Sequence, residues 1–243
     1  MNKLLSIVLF SACMISSSYA DITRVEVGAG AWMESPSGSA NYNAALGGSN
    51  VMHETQDNSA YVWALIKHPL PVVPNFRVEY VNISSEGRAN GTWGSGTAVS
   101  SKSTLDMQQI DLIPYYNILD NTFWTTVDLG LDVKMVNFDY KIADASYEYK
   151  KTLPIPMGYA RLRVQIPQTS LGAEADIKYM AYGKSAFSDA RAKLDYTFNS
   201  FRIVQPAVEV GYRVQKIKID EPSASIKTDI DFAGFYAGLM LKF

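Results

Sequence analysis

The sequence predicts an all-β chain, an antiparallel up-and-down transmembrane β-barrel of ten strands. Three observations predict it. Ten segments alternate apolar and polar residues with a period of two, and helical periodicity of useful length is almost absent. The connections alternate between short turns and long polar stretches, the rhythm of a barrel with turns at one end and loops at the other. The polar face of strands five to nine carries seven acidic and seven basic residues. That balance suits a closed interior, where buried charges need partners.

The 243 residues suffice for one sizeable domain, and residues 21–243 show no composition break that would divide them. A formal net charge of −2, with no charged run, gives no reason to expect a nucleic-acid partner. The start reads as a signal peptide over residues 1–20: Lys3 is basic, Leu4 to Phe10 is a short apolar core, and Ser18-Tyr19-Ala20 carries small residues at the cleavage positions. Cys13, the one cysteine, lies inside it, so the mature chain is expected to have no disulfide. No later stretch holds about 18 consecutive apolar residues, the length a helical span needs.

The strands follow in order. The first, about Val25–Glu34, sets Val25, Val27, Ala29, Ala31 and Met33 against Glu26, Gly28, Gly30 and Trp32, and its glycines suggest close approach or curvature. Ser35–Asn58 reads as a polar loop. The second, about Ser59–Lys67, alternates weakly and ends at a proline-rich turn holding His68. The third begins at Asn75, with Phe76, Val78 and Tyr80 opposite Arg77 and Glu79; Ser84–Lys102 reads as a second long loop. In the fourth, about Ser103–Tyr116, the apolar phase slips between Met107 and Ile110, which suggests a bulge at Gln108-Gln109. The fifth, about Phe123–Asp139, alternates most clearly, from Val127 to Met135, and is followed by a loop over Tyr140–Thr152. The sixth spans Pro156–Ile166 and the seventh Leu171–Tyr182. The eighth centres on Ala190–Tyr196, the ninth spans Ile203–Ile217, and Lys218–Lys227 reads as a loop. The tenth, Asp231–Phe243, places Phe235, Ala237, Leu239 and Leu241 on one face and Tyr236, Gly238, Met240 and Lys242 on the other.

Alternation by itself fits two barrels. A soluble one turns its charges to water; a membrane one turns them inward, because Arg or Lys facing lipid at mid-depth costs about 2–4 kcal/mol. The membrane arrangement makes a lumen network of Asp128, Asp132, Lys134, Arg161, Arg163, Glu174, Asp176, Lys178, Asp189, Arg191, Lys193, Asp195, Glu209 and Arg213. With Tyr159, Gln165 and Gln215 these would fill a ten-stranded interior and leave it plugged or very narrow. Phe235 and Phe243 would stand at the two ends of a lipid-facing stripe, with Tyr179, Tyr196 and Tyr212 in aromatic girdles.

The closing strand, with Phe243 last, resembles the C-terminal strand by which outer-membrane barrels are recognised for assembly; Phe243, Leu241, Leu239 and Phe235 would be that signal. Val25-Glu26-Val27-Gly28-Ala29-Gly30-Ala31-Trp32, the segment Leu153–Tyr182 around Tyr159-Ala160-Arg161, and Phe243 together resemble a family of bacterial outer-membrane β-barrel proteins. The resemblance implies residence in the outer membrane with both termini on the periplasmic side. It also implies outer-membrane lipid, the barrel-assembly machinery and periplasmic chaperones as partners; the sequence does not give the oligomeric state, and a monomer is favoured. It carries no catalytic residues.

Candidate sites are few. There are two histidines, His53 and His68, and no HExxH, CxxC or paired-His spacing, so no metal or cofactor is expected. Omptins are ten-stranded membrane proteases with His and Asp at the outer rim; His53 with Asp57 is the nearest counterpart here, and it lacks a second carboxylate pair. Tyr61, Trp63 and Trp93 read as girdle or loop anchors. The expectation is a structural or loop-presenting barrel without catalysis. The alternatives are a narrow channel or small-ligand carrier, an omptin-like hydrolase, and a soluble periplasmic barrel.

Overall fold

The computed structural model describes residues 23–42, 48–52, 57–70, 72–93, 97–143, 147–198, 203–221 and 226–243. The expected signal peptide with Cys13, and His53, lie outside them. Eleven strands form one sheet: β1 (Arg24–Tyr42), β2 (Gly48–Met52), β3 (Asp57–Lys67), β4 (Asn75–Trp93), β5 (Thr97–Thr122), β6 (Thr125–Ile142), β7 (Tyr147–Gln165), β8 (Leu171–Tyr182), β9 (Ser185–Thr197), β10 (Gln205–Glu221) and β11 (Ile226–Lys242). Each pairs antiparallel with its neighbours, and β11 returns to β1 from Glu26↔Lys242 to Tyr42↔Ile226. Phe243 extends that seam, its N–H donating to the Val25 carbonyl at 2.9 Å. Strands β2 and β3 both lie between β1 and β4 and run the same way. They are two parts of one wall position, so the closed barrel has ten strands around it.

The strands are longer than the sequence suggests. Most of the four stretches read as loops, 35–58, 84–102, 140–152 and 218–227, belongs to paired strands that extend past the apolar part of the wall. The phase slip on the fourth strand is not a bulge. Pairing of β5 with β4 runs unbroken from Asn75↔Tyr115 to Trp93↔Thr97, and its irregularity with β6 lies instead between Asn117 and Thr122. Gln109 and Met107 both point inward, and Gln108 and Ile110 both point outward.

What changes along the strand is the polarity of its two faces. In the lower wall the outward residues of β5 are Ile110, Leu112, Pro114 and Tyr116; higher up they are Gln108, Asp106, Thr104 and Lys102. Inward residues change the opposite way, from Asp111 and Gln109 to Met107 and Leu105. The same inversion occurs on β4, β6, β10 and β11. Val81, Ile83, Val136, Ile217 and Phe232 are buried inside the upper wall, whereas Val78, Leu131, Val133, Val210 and Phe235 are exposed on the lower wall. Leu239, Leu131 and Phe235 leave 69%, 65% and 63% of their surface open. On β11 the outward apolar file runs from Ala233 to Phe243, about 25 Å of height for a strand rising 3.3 Å per residue at a tilt near 40°. That equals the apolar band of a membrane barrel. The charged residue above it is Asp231, so Phe235 stands inside the band and not at its rim.

Two prolines sit within β7, where a ladder should exclude them. Gln165 donates its N–H toward β6, to Trp124 at 2.8 Å, and Ile166 donates toward β8, to Leu171 at 3.0 Å. Period-two alternation turns the nitrogens of Pro154 and Pro156 toward β8. There β7–β8 pairing begins only at Gly158, so no bond is lost. The sixth strand therefore continues through its prolines, where the sequence suggested that it begins.

Candidate functional site

The lumen at the level of the apolar band is an ion-pair network. All fourteen charged residues singled out in the sequence point inward, and thirteen of them are buried. Arg191 is the other, its side chain 8% accessible. The strands place them there because each alternates with an apolar neighbour that faces out. Arg213 binds Asp189 through Nε at 2.9 Å and Nη2 at 2.6 Å. Arg163 makes two hydrogen bonds to Asp195, at 2.8 and 3.0 Å, and Lys242 adds a third at 2.6 Å. Arg161 lies 2.9 Å from Asp128, Lys193 donates to Glu209 at 3.0 Å, and Arg191 embraces Asp176. Lys134 contacts Asp111 and Asp189 at once. Asp132 is fully buried and neither of its oxygens is hydrogen-bonded.

Four charges that sequence reasoning left out of its network join this one. Lys178 donates to Glu79 and Asp111, each at 2.6 Å; Arg77 reaches Glu79 and Glu174; Glu26 pairs with Arg24. The signal was present but short. Glu26 stands between Val25 and Val27, Asp111 between Ile110 and Leu112, and Arg77 and Glu79 alternate with Phe76, Val78 and Tyr80. Lys242, already assigned to the polar face of the last strand, belongs with them.

The network crosses the barrel. Arg191 on β9 donates to Glu79 on β4 at 2.6 Å, between strands on opposite walls. Tyr61 and Trp63, expected in a girdle or loop, are inside. Both donate to Glu209, at 2.7 and 3.1 Å. Trp63 lies between Arg77 and Lys193, each about 5 Å from its ring centre, and Arg213 covers Trp32 at 4.7 Å. These rings need floor space, and inward glycines supply it. A Cβ on Gly28 would stand 2.5 Å from the Trp63 indole nitrogen, and one on Gly238 2.4 Å from the Tyr61 hydroxyl. Among Trp32, Tyr61, Trp63, Arg191, Arg213 and Tyr236 is a cavity of about 10 Å³, room for one water.

Above the ionic layer the buried side chains are mostly apolar. Ile83, Met107, Val136, Phe232, Phe187 and Ile217 form one apolar cluster, with Phe138, Tyr140, Ile155, Met180 and Ile219 against it. On the outer wall at this height the charges are exposed. Lys150 hydrogen-bonds Glu148 and holds its carboxyl below the usual range. Among the described residues no group of three or more His, Cys, Asp and Glu could hold a metal ion. His68 sits in the β3–β4 turn, its ring against the Pro74 carbonyl at 3.0 Å. It lies beyond the opposite end of β3 from Asp57.

No protein-family model matches the chain, and no curated protein matches it in sequence. Solved structures do. The outer membrane protease OmpT from Escherichia coli aligns over 94% of this chain and 99% of its own, at 11% identity and a TM-score of 0.54. The translocator domain of the autotransporter NalP from Neisseria meningitidis aligns over 100% and 95%, at 11% identity and a TM-score of 0.44. The likeness to OmpT is one of fold: a closed, ten-stranded antiparallel barrel of the outer-membrane type.

Proposed function

We propose that the protein is an integral outer-membrane barrel that does not conduct, and that its role is structural or presentational. The contact of opposite walls through Glu79 and Arg191 carries this reading. A pore needs a continuous wet path. Here the ionic layer spans the lumen at lipid height, and an apolar cluster lies above it. Charges filling a lumen in this way hold the walls at fixed separation, and every ion of the layer except Asp132 lies within ion-pair distance of an opposite charge. The upper strands carry the β4–β5, β6–β7 and β10–β11 hairpins well clear of the band as a polar-surfaced extension of the barrel. In this reading they face the medium, and the short turns and both termini face the periplasm. Outer-membrane lipid surrounds the band, and the chain reaches it as a monomer through periplasmic chaperones and the barrel-assembly machinery.

Single-channel recording in planar bilayers tests the sealed lumen. The expected result is a silent bilayer with folded protein inserted; a steady conductance of porin size would overturn the reading. Orientation is tested separately. Lys150→Cys should react with a membrane-impermeant maleimide on intact cells, and Gln168→Cys should react only after the outer membrane is breached.

A further inference from the structure

The lower wall carries a depression. A hollow of about 480 Å³ opens outward between β7 and β10, floored by Ala175 and Ala192 and walled by Leu162, Leu194, Tyr212 and Phe235. Tyr212 and Phe235 stack edge to face at 5.0 Å and make one firm side. From Ala192 the floor continues up β9 through its outward residues Ala190, Ser188 and Ala186, all small. Tyr179 on β8 and Lys216 on β10 flank Ser188 on either side. The result is a trough one strand wide, about 10 Å between the flanking strands.

Two further features lie at its upper end. The β8–β9 hairpin stops early, turning at Gly183 (φ +59°) and Lys184, while β7 and β10 continue. The upper wall is therefore open directly above the trough. Lys184 and Lys218 stand exposed at that opening, and among the described residues neither has a carboxylate within ion-pair distance. Lys216 is held by Asp231 at 2.8 Å.

We infer that the trough seats one acyl chain of an anionic, phosphorylated membrane lipid, with the headgroup phosphate at Lys184 and Lys218. The inference rests on the membrane reading above. A chain entering at Lys184 and ending at Ala192 covers eight residues of β9, about 20 Å of height at a tilt near 40°, close to one leaflet with its interface. Lipid fits where a second copy does not: a barrel wall is broad and convex, and cannot enter a trough one strand wide between Tyr179 and Tyr212. The two lysines select the headgroup, because a zwitterionic lipid leaves them less well compensated.

The test is lipid retention. Protein reconstituted in nanodiscs of phosphatidylcholine with a minor share of phosphatidylglycerol is released into detergent and weighed by native mass spectrometry. The wild type should keep one phosphatidylglycerol. Ala192→Trp, which fills the hollow from the lipid side, should lose it, and Ala175→Leu should weaken it. The double variant Lys184→Gln/Lys218→Gln should still bind lipid but lose about tenfold of its preference for phosphatidylglycerol. Equal retention by Ala192→Trp and wild type would overturn the site, and so would a dimer that Ala192→Trp disrupts. A heat-dependent gel shift on the same samples separates the two readings. A shifted, inserted barrel without bound lipid refutes the site alone; no insertion refutes the membrane reading itself.

Discussion

Gln109 on β5 and Gln215 on β10 exchange two amide hydrogen bonds, at 2.9 and 2.7 Å, although their strands are on opposite walls. Both residues are fully buried. They mark the boundary between the ionic layer and the apolar cluster. Gln109 also accepts from Lys134 at 3.2 Å, and Met107, two residues above it, belongs to the cluster. Two amide side chains therefore bridge the lumen at that height.

The pair should be tightly coupled. Replacing either glutamine by leucine strands the other amide in the interior, at a cost of about 1–3 kcal/mol. Replacing both removes donor and acceptor together. Urea titrations of the reconstituted barrel should show the double variant less destabilised than the sum of the singles, with about 1 kcal/mol or more of coupling. Additive costs would mean that the two side chains do not meet.

The height of the apolar band can be read on one strand. Leu112 and Thr104 both face outward on β5, eight residues apart. Leu112→Arg should cost about 2–4 kcal/mol and Thr104→Arg about 0–1 kcal/mol, because the first meets hydrocarbon and the second water. Equal costs would place both positions in one solvent.

The closed barrel and the inward charges were legible in the sequence because both depend only on parity. Val127 to Met135 against Asp128 to Lys134 needs no tertiary knowledge. The reversal of polarity was not legible as such. Leu105 and Met107 looked out of phase with Ile110 and Leu112, and a bulge is the local way to explain that. The phase never changes; the polarity of the outward face does, and that polarity is a property of height across ten strands. The strand extensions were missed for the same reason. Polar outward residues such as Asn82, Ser84 and Glu86 look like a loop when lipid is assumed outside, and like a soluble barrel's wall once it is not.

The upper lumen should therefore behave as an ordinary core. Met107→Ala should cost about 2–5 kcal/mol and Phe232→Ala about 3–5 kcal/mol, although both lie above the band. Leu239, also apolar but facing outward with 69% of its surface open, should tolerate alanine with little loss of stability. Chemical denaturation of the three variants in one lipid compares them directly. Loss at Leu239 equal to that at Phe232 would contradict the assignment of inside and outside.

Gly28 and Trp63 form a second coupled pair. Any side chain at Gly28 meets the indole that lies over it. Gly28→Leu should destabilise the barrel strongly, and Trp63→Ala should also destabilise it, by removing the ring between Arg77 and Lys193. Combined, the leucine enters the space that the indole leaves, so the double variant should be more stable than the sum of the two losses predicts, by about 0.5–3 kcal/mol. Strict additivity would show that Trp63 does not occupy that space.

Phe243 contributes a backbone and a ring to the last strand, and the two can be separated. Its backbone closes the seam: its N–H donates to Val25, and its carbonyl accepts from Val25 at 3.4 Å. Its ring ends the outward file that runs through Leu239 and Leu241. Deleting the residue removes both contributions; Phe243→Ala keeps the backbone bonds and removes the ring alone. If the ring is read during assembly, both variants should give a small heat-modifiable fraction in cells. Both should nevertheless refold in vitro, with the alanine variant near wild-type stability and the deletion lower by about 1–3 kcal/mol for two lost seam bonds. If the residue matters only as the last rung of the ladder, the alanine variant should assemble in cells as well as the wild type. The same heat-shift gel, run on cell envelopes and on refolded protein, tells these outcomes apart. Normal assembly of the alanine variant would remove the role assigned to the aromatic ring and leave the seam as the reason the last strand matters.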